Sequence, residues 1–164
     1  MNGQPQVYEV LKSLNIAFEY HEHPPVPTVK EAAIYWKDMK ATHCKNLFFR
    51  NHKGNKHYLV ILEYSQNIVI KDLEQRLRQG KITFASDERL AKYLKLFAGS
   101  VSPFGLINDV DNHVHVFFDE NLLKAQSISF HPNQNTASLV IPFPDFIRYM
   151  DWTGNTYEFI KLYN

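Results

Sequence analysis

The stretch of sequence that decides the fold is residues 46–62, NLFFRNHKGNKHYLVIL. It consists of two apolar runs, 46–50 and 57–62, on either side of a polar segment that contains Gly54. Apolar runs of this kind that flank a glycine-containing turn are typical of a β-hairpin. The sequence therefore predicts a pair of antiparallel strands near this part of the chain.

Helices are predicted on both sides of this hairpin. Apolar residues recur at helical spacing from about residue 5 to residue 14, and Pro5 suits the first turn of a helix. Thr28 and Glu31 form a Thr-x-x-Glu capping box that opens a second helix, which extends to about residue 37. Further helices are predicted over 72–79 with Gly80 as the C-terminal cap, from Ser86 to about residue 97, and over 142–150.

The other apolar segments are short and predict strands at 17–20, 82–84, 114–118, 127–130 and 136–141. Because helices and strands are mixed and the hairpins supply antiparallel pairs, we expect an α+β fold, a mixed α/β globule with a mixed, mostly antiparallel sheet and packed helices. A doubly wound parallel sheet is disfavoured for the same reason. The aromatic tail 152–164 is expected either to pack back on the core or to form a surface for a partner.

Length and composition favour one domain over residues 1–164. Of the 164 residues, 45% are hydrophobic, 21% charged and 14% aromatic, which excludes a disordered chain, a fibre and a coiled coil. The single cysteine, Cys44, cannot form a disulfide within the chain, which suits a reducing, cytoplasmic environment. No apolar run approaches the roughly 18–20 residues of a membrane helix, and the N-terminus is unlike a signal peptide, so no membrane association is expected.

The charge balance limits the nucleic-acid partners. The sequence has 18 Lys and Arg residues against 17 Asp and Glu residues, a formal net charge of +1. Proteins that coat nucleic acid are usually strongly basic, so a general nucleic-acid binder is disfavoured. A local basic patch for one RNA end is compatible with this balance. The candidate residues for such a patch are Lys30, Lys37, Lys40, Arg50, Lys53 and Lys56. The same residues could instead be unrelated charges spread over the surface.

Three segments carry residues that suit catalysis or binding. Lys45 and Asn46 stand at the start of an apolar strand, where a lysine can anchor a carbonyl or phosphate oxygen. The loop 99–105, GSVSPFG, has glycines that let the backbone approach a ligand and aim N–H groups at an oxyanion. His131 follows a predicted strand, where an imidazole can orient water or a substrate group. Each segment alone also fits a structural role: a solvated lysine, an ordinary connection and a core histidine.

The sequence offers no pattern for metal binding or covalent catalysis. The pairs His21/His23 and His113/His115 each place two imidazoles on one face of an extended segment, but zinc needs roughly three or four ligands and no motif supplies the others. Cys44 lacks a catalytic context, and no Gly-x-Ser-x-Gly motif is present. We therefore expect no metal and no cofactor, and a hydrolase with a nucleophile elbow is disfavoured.

Taken together, the order and spacing of several segments resemble the YbaK/ProX superfamily of trans-editing aminoacyl-tRNA deacylases, and within it the ProX type. The resemblance covers nearly the whole chain, from the first helix to about Met150. It implies a mixed α/β fold related to the editing domain of bacterial prolyl-tRNA synthetases, and hydrolysis of the ester between a wrong amino acid and the terminal adenosine of tRNA. For the ProX type the implied substrate is alanyl-tRNA(Pro). The segments that carry the resemblance are 44–49, 53–60, 99–105, 131–132 and 135–137.

The resemblance also implies roles for individual residues. The essential lysine of the family falls on Lys45, and the pocket histidine that admits only a small side chain falls on His131. The family's Gly-x-x-x-Pro-x-Gly loop falls on 99–105, and its N–H groups from Gly99 to Ser102 would stabilise the oxyanion while a positioned water attacks the ester. The implied site consists of the catalytic residues Lys45, Gly99 and Ser100, and the substrate-binding residues Asn46, Ser102, Pro103, Gly105 and His131.

Two alternatives stay open at this level. The same fold could act on another mischarged tRNA, one that carries cysteine, serine or threonine, or the chain could be a non-catalytic module that binds tRNA or a synthetase. The expected partners are the acceptor 3′ end of a mischarged tRNA and, as a second candidate, prolyl-tRNA synthetase. The central expectation is that Lys45, the Gly99 loop and His131 line one cavity.

Overall fold

The molecule consists of helices packed on a mixed β-sheet, and the computed structural model describes residues 1–26, 28–37 and 39–164. Two short 3₁₀-helices in this part of the chain cover Pro103–Asn108 and Glu120–Lys124. The α-helices are α1 (Pro5–Ser13), α2 (Val29–Trp36), α3 (Ile70–Leu77), α4 (Asp87–Leu94) and α5 (Phe143–Thr153). The strands are β1 (Glu19–Glu22), β2 (Thr42–Asn51), β3 (His57–Glu63), β4 (Ile82–Phe84), β5 (Val114–Asp119), β6 (Ser127–Phe130), β7 (Ala137–Pro142) and β8 (Tyr157–Ile160).

The strands form one sheet in the order β1-β7-β6-β2-β3-β5-β8, and β4 pairs with β2 beside this path. The predicted hairpin is confirmed, because β2 and β3 are antiparallel from the pair of Cys44 and Glu63 to the pair of Arg50 and His57. β1–β7, β6–β7 and β2–β4 are also antiparallel, whereas β2–β6, β3–β5 and β5–β8 are parallel. The expected fold class, a mixed sheet with packed helices, is therefore confirmed.

One edge of β2 changes partner along its length. Because β3 occupies one edge throughout the hairpin, β6 and β4 must share the other. β6 pairs in parallel with Thr42 and His43, and β4 pairs with residues 49–51. Between these contacts the described residues place no strand along this edge, so β2 and β6 separate beyond His43. The separation leaves a gap in the sheet beside residues 44–46.

The sheet is buried on both faces, which explains the unbroken apolar run in β3. Leu59 and Ile61 point into an apolar cluster shared with α1, α4 and α5, whereas Tyr58, Val60 and Leu62 point into a second cluster shared with α3. Successive side chains of a strand point to opposite faces, so a strand covered on both sides needs apolar residues at every position. Among the helices described, none is long and apolar enough to cross a membrane.

Two predicted helix starts are confirmed by their side-chain caps. The Thr28 hydroxyl accepts a hydrogen bond from the Glu31 N–H at 3.2 Å, and the Ser86 hydroxyl accepts one from the Arg89 N–H at 3.2 Å. These side chains satisfy N–H groups that the first helical turn leaves without an intrahelical acceptor. The caps therefore define where α2 and α4 begin.

Two predicted helix ends are wrong. The helix predicted over 72–79 with Gly80 as its cap ends at Leu77 with Arg78 as its C-cap, and the helix predicted to reach about residue 97 ends at Leu94 with Lys95 as its C-cap. Both capping residues adopt the left-handed conformation, with φ of 56° and 53°, and bond through their N–H groups to the carbonyl four residues earlier. Both helices are thus capped by a residue other than glycine, and a prediction based on the position of glycine cannot find such a cap.

Two other predictions change in detail, and the structure decides between the two alternatives for the tail. The strand predicted at 17–20 lies at Glu19–Glu22, where it pairs with β7. The predicted loop 99–105 contains the start of a 3₁₀-helix at Pro103. The tail packs back on the core, because β8 pairs in parallel with β5 and the buried Leu162 follows it.

Candidate functional site

A cavity of about 190 Å³ opens where β2 and β6 separate. Segments that are far apart in the sequence border it, so Lys45, Gly99 and His131 face the same space. The apolar part of the wall comes from α2 and the residue Val26 before it, and from Cys44, Val101 and Phe130. The polar lining residues are Thr28, Lys45, Asn46, Ser129, His131 and Ser138.

Lys45 and Asn46 reach the cavity because they lie on the stretch of β2 that has lost its β6 partner. Cys44 and Phe48 belong to one core cluster and Phe49 to the other. By strand alternation, Asn46 shares the face of Cys44 and Phe48, and Lys45 takes the opposite face. Lys45 is half-buried and forms no ion pair with the residues described, so its charge can act on a carbonyl or phosphate oxygen.

The segment around Gly99 presents backbone to the cavity. Ser100 closes a tight turn, because its N–H and its hydroxyl both donate to the Phe97 carbonyl, at 3.1 and 2.8 Å. Gly99 has a φ of 86°, a conformation that favours glycine. The N–H groups of Gly99 and Val101 find no acceptor within the described parts of the chain, and both residues line the cavity. These two groups are therefore the candidate donors for an oxyanion.

Four of the predicted site residues do not reach the cavity wall: Ser100, Ser102, Pro103 and Gly105. The Ser100 N–H is already bonded within the turn, which corrects the expectation that this group faces an oxyanion. The other three are buried behind the wall, at the start of the 3₁₀-helix. They shape the loop instead of bordering the cavity.

Specific contacts show how these three residues hold the loop. The Ser102 hydroxyl caps the 3₁₀-helix by accepting a backbone N–H two residues on, at 3.1 Å. The Pro103 carbonyl accepts a hydrogen bond from the buried Tyr149 hydroxyl at 2.8 Å. Gly105 leaves room for Leu96, because a Cβ at this position would lie 2.6 Å from Leu96 Cδ1. The Gly-x-x-x-Pro-x-Gly pattern therefore serves the shape of the segment that carries Gly99 and Val101.

The His131 imidazole is held in one tautomer. Its Nδ1 lies 2.7 Å from the Ala137 carbonyl, which can only accept, so Nδ1 carries the hydrogen of the neutral ring. Burial lowers the pKa of His131, and the adjacent His23 ring adds to the effect, against the opposing hydrogen bond to Ala137. At physiological pH the ring is therefore neutral, and its Nε2 is an acceptor.

The sequence alone did not identify the pair His23 and Ser138 behind His131. His23 is buried, with Nε2 3.0 Å from Ser138 Oγ and Nδ1 2.9 Å from the Pro24 carbonyl. Its ring meets the His131 ring edge-on, with centroids 5.6 Å apart. The signal that could have found Ser138 is its position directly after 135–137, a segment that carries the family resemblance.

Helix α2 adds an aromatic wall that the sequence did not assign to the site. Trp36 stacks on His43, with ring centroids 4.6 Å apart and an interplanar angle of 3°. Burial lowers the pKa of His43 to about 4, so this ring is neutral. The next residue, Cys44, is a buried free thiol whose pKa is raised by burial. Cys44 is therefore protonated and unsuited to nucleophilic attack.

The described residues contain no group of three or more His, Cys, Asp or Glu side chains arranged to hold a metal ion. The histidines of the pair 113/115 are engaged in separate contacts. His113 Nε2 lies 2.8 Å from His57 Nδ1, and His115 Nε2 lies 2.9 Å from a carboxylate oxygen of Glu158. The two imidazoles thus belong to different networks.

Comparison with solved structures places the fold. The crystal structure of the hypothetical protein APE2540 matches 94% of this chain and 98% of its own, with a TM-score of 0.72 and 18% identity. A crystal structure provisionally described as a trans-editing enzyme for prolyl-tRNA synthetase matches 98% of this chain and 99% of its own, with a TM-score of 0.68 and 20% identity. At these identities the likeness concerns the fold alone.

Sequence comparison then identifies the family. The family model of the aminoacyl-tRNA editing domain matches residues 23–149, a span that contains every residue lining the cavity. The chain therefore belongs to the aminoacyl-tRNA editing domain family, and the resemblance seen in the sequence is confirmed. The prolyl-tRNA editing protein ProX of Acetoanaerobium sticklandii is 39% identical over 162 residues, 99% of each chain. Prolyl-tRNA synthetase associated domain-containing protein 1 of Bos taurus is 31% identical over 149 residues, 88% of this chain and 86% of that protein.

Proposed function

We propose that this protein is a trans-editing hydrolase that deacylates mischarged tRNA(Pro) in the cytoplasm, with alanyl-tRNA(Pro) as its substrate. The observation that carries the proposal is the cavity between β2 and β6, which Lys45, Gly99 and His131 border together. Membership of the aminoacyl-tRNA editing domain family supports the class of reaction. The name of the Acetoanaerobium relative, a prolyl-tRNA editing protein, supports tRNA(Pro) as the tRNA.

The size of the cavity supports a small amino acid as the group that enters it. Its volume of about 190 Å³ is below the roughly 300–1,000 Å³ of pockets that hold drug-sized ligands. A space of this size takes an aminoacyl group and leaves the terminal adenosine and the rest of the tRNA outside. The tRNA must then be held by the surface around the mouth.

The proposed reaction is ester hydrolysis with water as the nucleophile. Water adds to the carbonyl carbon, the bond from that carbon to the ribose oxygen breaks, and the products are the free amino acid and tRNA with its hydroxyl restored. The N–H groups of Gly99 and Val101 would stabilise the tetrahedral oxyanion, an effect worth about 3–4 kcal/mol for one good donor. Lys45 would hold the ester or the nearby phosphate by its charge.

His131 is proposed to limit the side chain that fits. Its ring is fixed by the hydrogen bond to Ala137 and by the edge-on contact with His23, so it cannot turn aside for a larger group. An apolar pocket alone discriminates by only about 1–3 kcal/mol per methylene, whereas overlap with a fixed ring excludes the larger group. Alanine would enter, and the cognate prolyl-tRNA(Pro) would be spared.

The hydroxyl groups of Ser129 and Ser138 on the cavity wall favour a second candidate substrate, a seryl-tRNA. The side-chain hydroxyl of serine would find hydrogen-bond partners there, and serine is close to alanine in size. A site built to bond a substrate hydroxyl strongly rejects the analogue that lacks it. The relative rates with serine and alanine therefore separate the two candidates.

The test is hydrolysis of tRNA(Pro) charged with alanine, serine or proline, and of tRNAs mischarged with cysteine or threonine. We expect alanyl-tRNA(Pro) to be the best substrate and prolyl-tRNA(Pro) to be spared. Lys45→Ala should lower kcat/KM by about 100-fold or more, and Lys45→Arg, which keeps the charge, should lose less. Full activity of Lys45→Ala would remove the role of this lysine. Binding without hydrolysis by the parent protein would instead indicate a non-catalytic module.

The proposed partners are the acceptor 3′ end of the mischarged tRNA and prolyl-tRNA synthetase. Three exposed cations, Lys30, Lys37 and Lys40, lie on or next to α2, whose residues border the cavity, and would meet the phosphates of an entering 3′ end. Adding prolyl-tRNA synthetase to the hydrolysis assay tests the second partner. An unchanged rate and no co-elution would exclude it.

A further inference from the structure

An aminoacyl ester carries an ammonium group on the carbon next to the carbonyl that is attacked, so its pocket must accommodate a cation. We propose that Asn46 Oδ1 and Ser138 Oγ form a subsite for this α-ammonium group, and that His23 is the positioning residue that orients the Ser138 hydroxyl. The inference rests on the proposed editing function and extends it to recognition of the free amino group of the substrate.

The contacts of His23 fix the direction of the Ser138 hydroxyl. The Pro24 carbonyl, 2.9 Å from His23 Nδ1, can only accept, so in the neutral ring Nδ1 carries the hydrogen and Nε2 is the acceptor. Ser138 Oγ, 3.0 Å from Nε2, must then donate its hydrogen to the ring. Because Ser138 also lines the cavity, its oxygen offers lone pairs to a ligand and no hydrogen. Only 7% of His23 and 1% of Ser138 is exposed, so solvent does not compete for this pair.

Asn46 supplies an acceptor that the protein itself leaves unsatisfied. Its Oδ1 is buried and has no hydrogen-bond partner among the residues that the structure describes. A buried polar atom without a partner is costly, so an unsatisfied oxygen on a residue that lines the cavity points to a ligand that donates. An ammonium group has three N–H donors and no acceptor, which matches a wall that offers acceptors at Asn46 and Ser138.

The charges around these two acceptors are compatible with a cation. Lys45 and Asn46 leave β2 on opposite faces, so the two side chains approach the cavity from different sides of the strand. His131 is neutral, because burial lowers its pKa, and its Nε2 presents a lone pair. No carboxylate lines the cavity in the described part of the chain, so recognition relies on neutral acceptors.

The experiment compares alanyl-tRNA(Pro) with lactyl-tRNA(Pro), in which a hydroxyl replaces the ammonium group at almost the same size. For each ester, the rate enhancement is the hydrolysis rate with protein divided by the spontaneous hydrolysis rate. We expect this enhancement to be about 10–100-fold larger for the alanyl ester with the parent protein. Asn46→Ala and Ser138→Ala should lower the alanyl enhancement more than the lactyl enhancement, because a hydroxyl donates one hydrogen where an ammonium group donates three, so the ratio between the two esters falls.

The positioning role of His23 is tested by rescue. His23→Ala removes the acceptor for the Ser138 hydroxyl and should lower the same ratio. His23→Gln, whose Oε1 can accept in place of Nε2, should restore part of it. A general loss of stability lowers both enhancements together and leaves the ratio unchanged, and thermal unfolding of each variant checks the fold. Ser127→Ala, on β6 but outside the cavity lining, is the matched control and should keep the parent ratio.

Two results would overturn the subsite while the editing function stands. The first is equal enhancement of alanyl-tRNA(Pro) and lactyl-tRNA(Pro) by the parent protein. The second concerns tRNA that ends in 2′-deoxyribose instead of ribose. If Asn46→Ala removes the difference in hydrolysis rate between these two tRNA ends and keeps the difference between the two esters, Oδ1 binds a ribose hydroxyl instead. If the parent protein hydrolyses neither ester, the proposed function and the subsite are both overturned.

Discussion

His43 of β2 and Ser129 of β6 are the last residues that pair these two strands, and the cavity begins directly beyond them. Residues 44–46 continue one strand, and residues 130–131 continue the other along the cavity wall. In an unbroken parallel ladder, the backbone groups of these segments would bond to each other. Their separation turns both segments into the walls of a binding space, so the site is a product of a break in the sheet.

Gly105 should not tolerate a side chain. A Cβ there would lie 2.6 Å from Leu96 Cδ1 and 3.3 Å from Leu94 Cβ, and only 1% of Leu96 is exposed, so it has little room to move. We expect Gly105→Ala to lower the free energy of unfolding in urea by about 1–3 kcal/mol. Leu96→Val should relieve part of the overlap, so the double variant should be more stable than the sum of the single effects. Additive effects would contradict this explanation.

His131→Ala should relax the choice of amino acid. Removing the ring enlarges the cavity at the point where a proline ring would collide, so hydrolysis of prolyl-tRNA(Pro) should rise at least about tenfold relative to alanyl-tRNA(Pro). His131→Phe keeps the bulk but loses the hydrogen bond to Ala137 that holds the ring, so it should exclude proline better than His131→Ala and less strictly than the parent protein. The measurement is kcat/KM for both esters. Equal discrimination by the parent protein and His131→Ala would show that another group sets the size limit.

Stability should decrease on mild acidification because of His57. Burial, together with the nearby His113 and Arg89, lowers the pKa of His57 from 6.5 to about 4. Between these values the unfolded chain takes up a proton that the native chain does not, so the free energy of unfolding falls as the pH falls from about 6.5 to about 4. The contribution of this group is at most about 3 kcal/mol. Urea unfolding at a series of pH values measures it.

The hydrogen bonds of His57 provide the control for this pH dependence. Arg89 donates to His57 Nε2 at 3.1 Å, and His57 Nδ1 donates to His113 Nε2 at 2.8 Å. A proton on Nε2 would face the Arg89 donor and break the first bond. His57→Gln should therefore give a shallower dependence, and the remaining part is due to His43 and His131, since burial also lowers the pKa of these two histidines. An unchanged slope would assign the effect to other groups.

Removing residues 157–164 should destabilise the fold. The removed segment contains β8, which covers the edge of β5, and the buried Leu162, whose N–H donates to the buried Asp119 carboxylate at 3.0 Å. Without it, β5 becomes an exposed edge and Asp119 loses a donor, so the free energy of unfolding should fall by about 3 kcal/mol or more. Urea unfolding and light scattering measure the loss and the aggregation. Removal of 163–164 alone, which keeps β8 and Leu162, should have a much smaller effect.

Local sequence was sufficient for the hairpin, for the caps Thr28 and Ser86, and for the position of most other elements. Apolar runs, turn glycines and capping side chains act over a few residues, so their effect can be seen in the sequence. The C-caps Arg78 and Lys95 could not be predicted in this way, because a residue other than glycine adopts the left-handed conformation there. The family resemblance also pointed from the sequence to Lys45, Asn46, Gly99 and His131, all of which border the cavity.

Tertiary structure decided the rest of the site. Ser138 meets His23 across 115 positions of sequence, and no local pattern in either segment encodes that contact. The same holds for the parallel pairing of β2 with β6 and of β5 with β8. Which backbone N–H groups face the cavity depends on how the turn at Ser100 closes against Phe97. Pairings between distant segments follow from the packing of the whole chain, because the core they share forms only when all its parts come together.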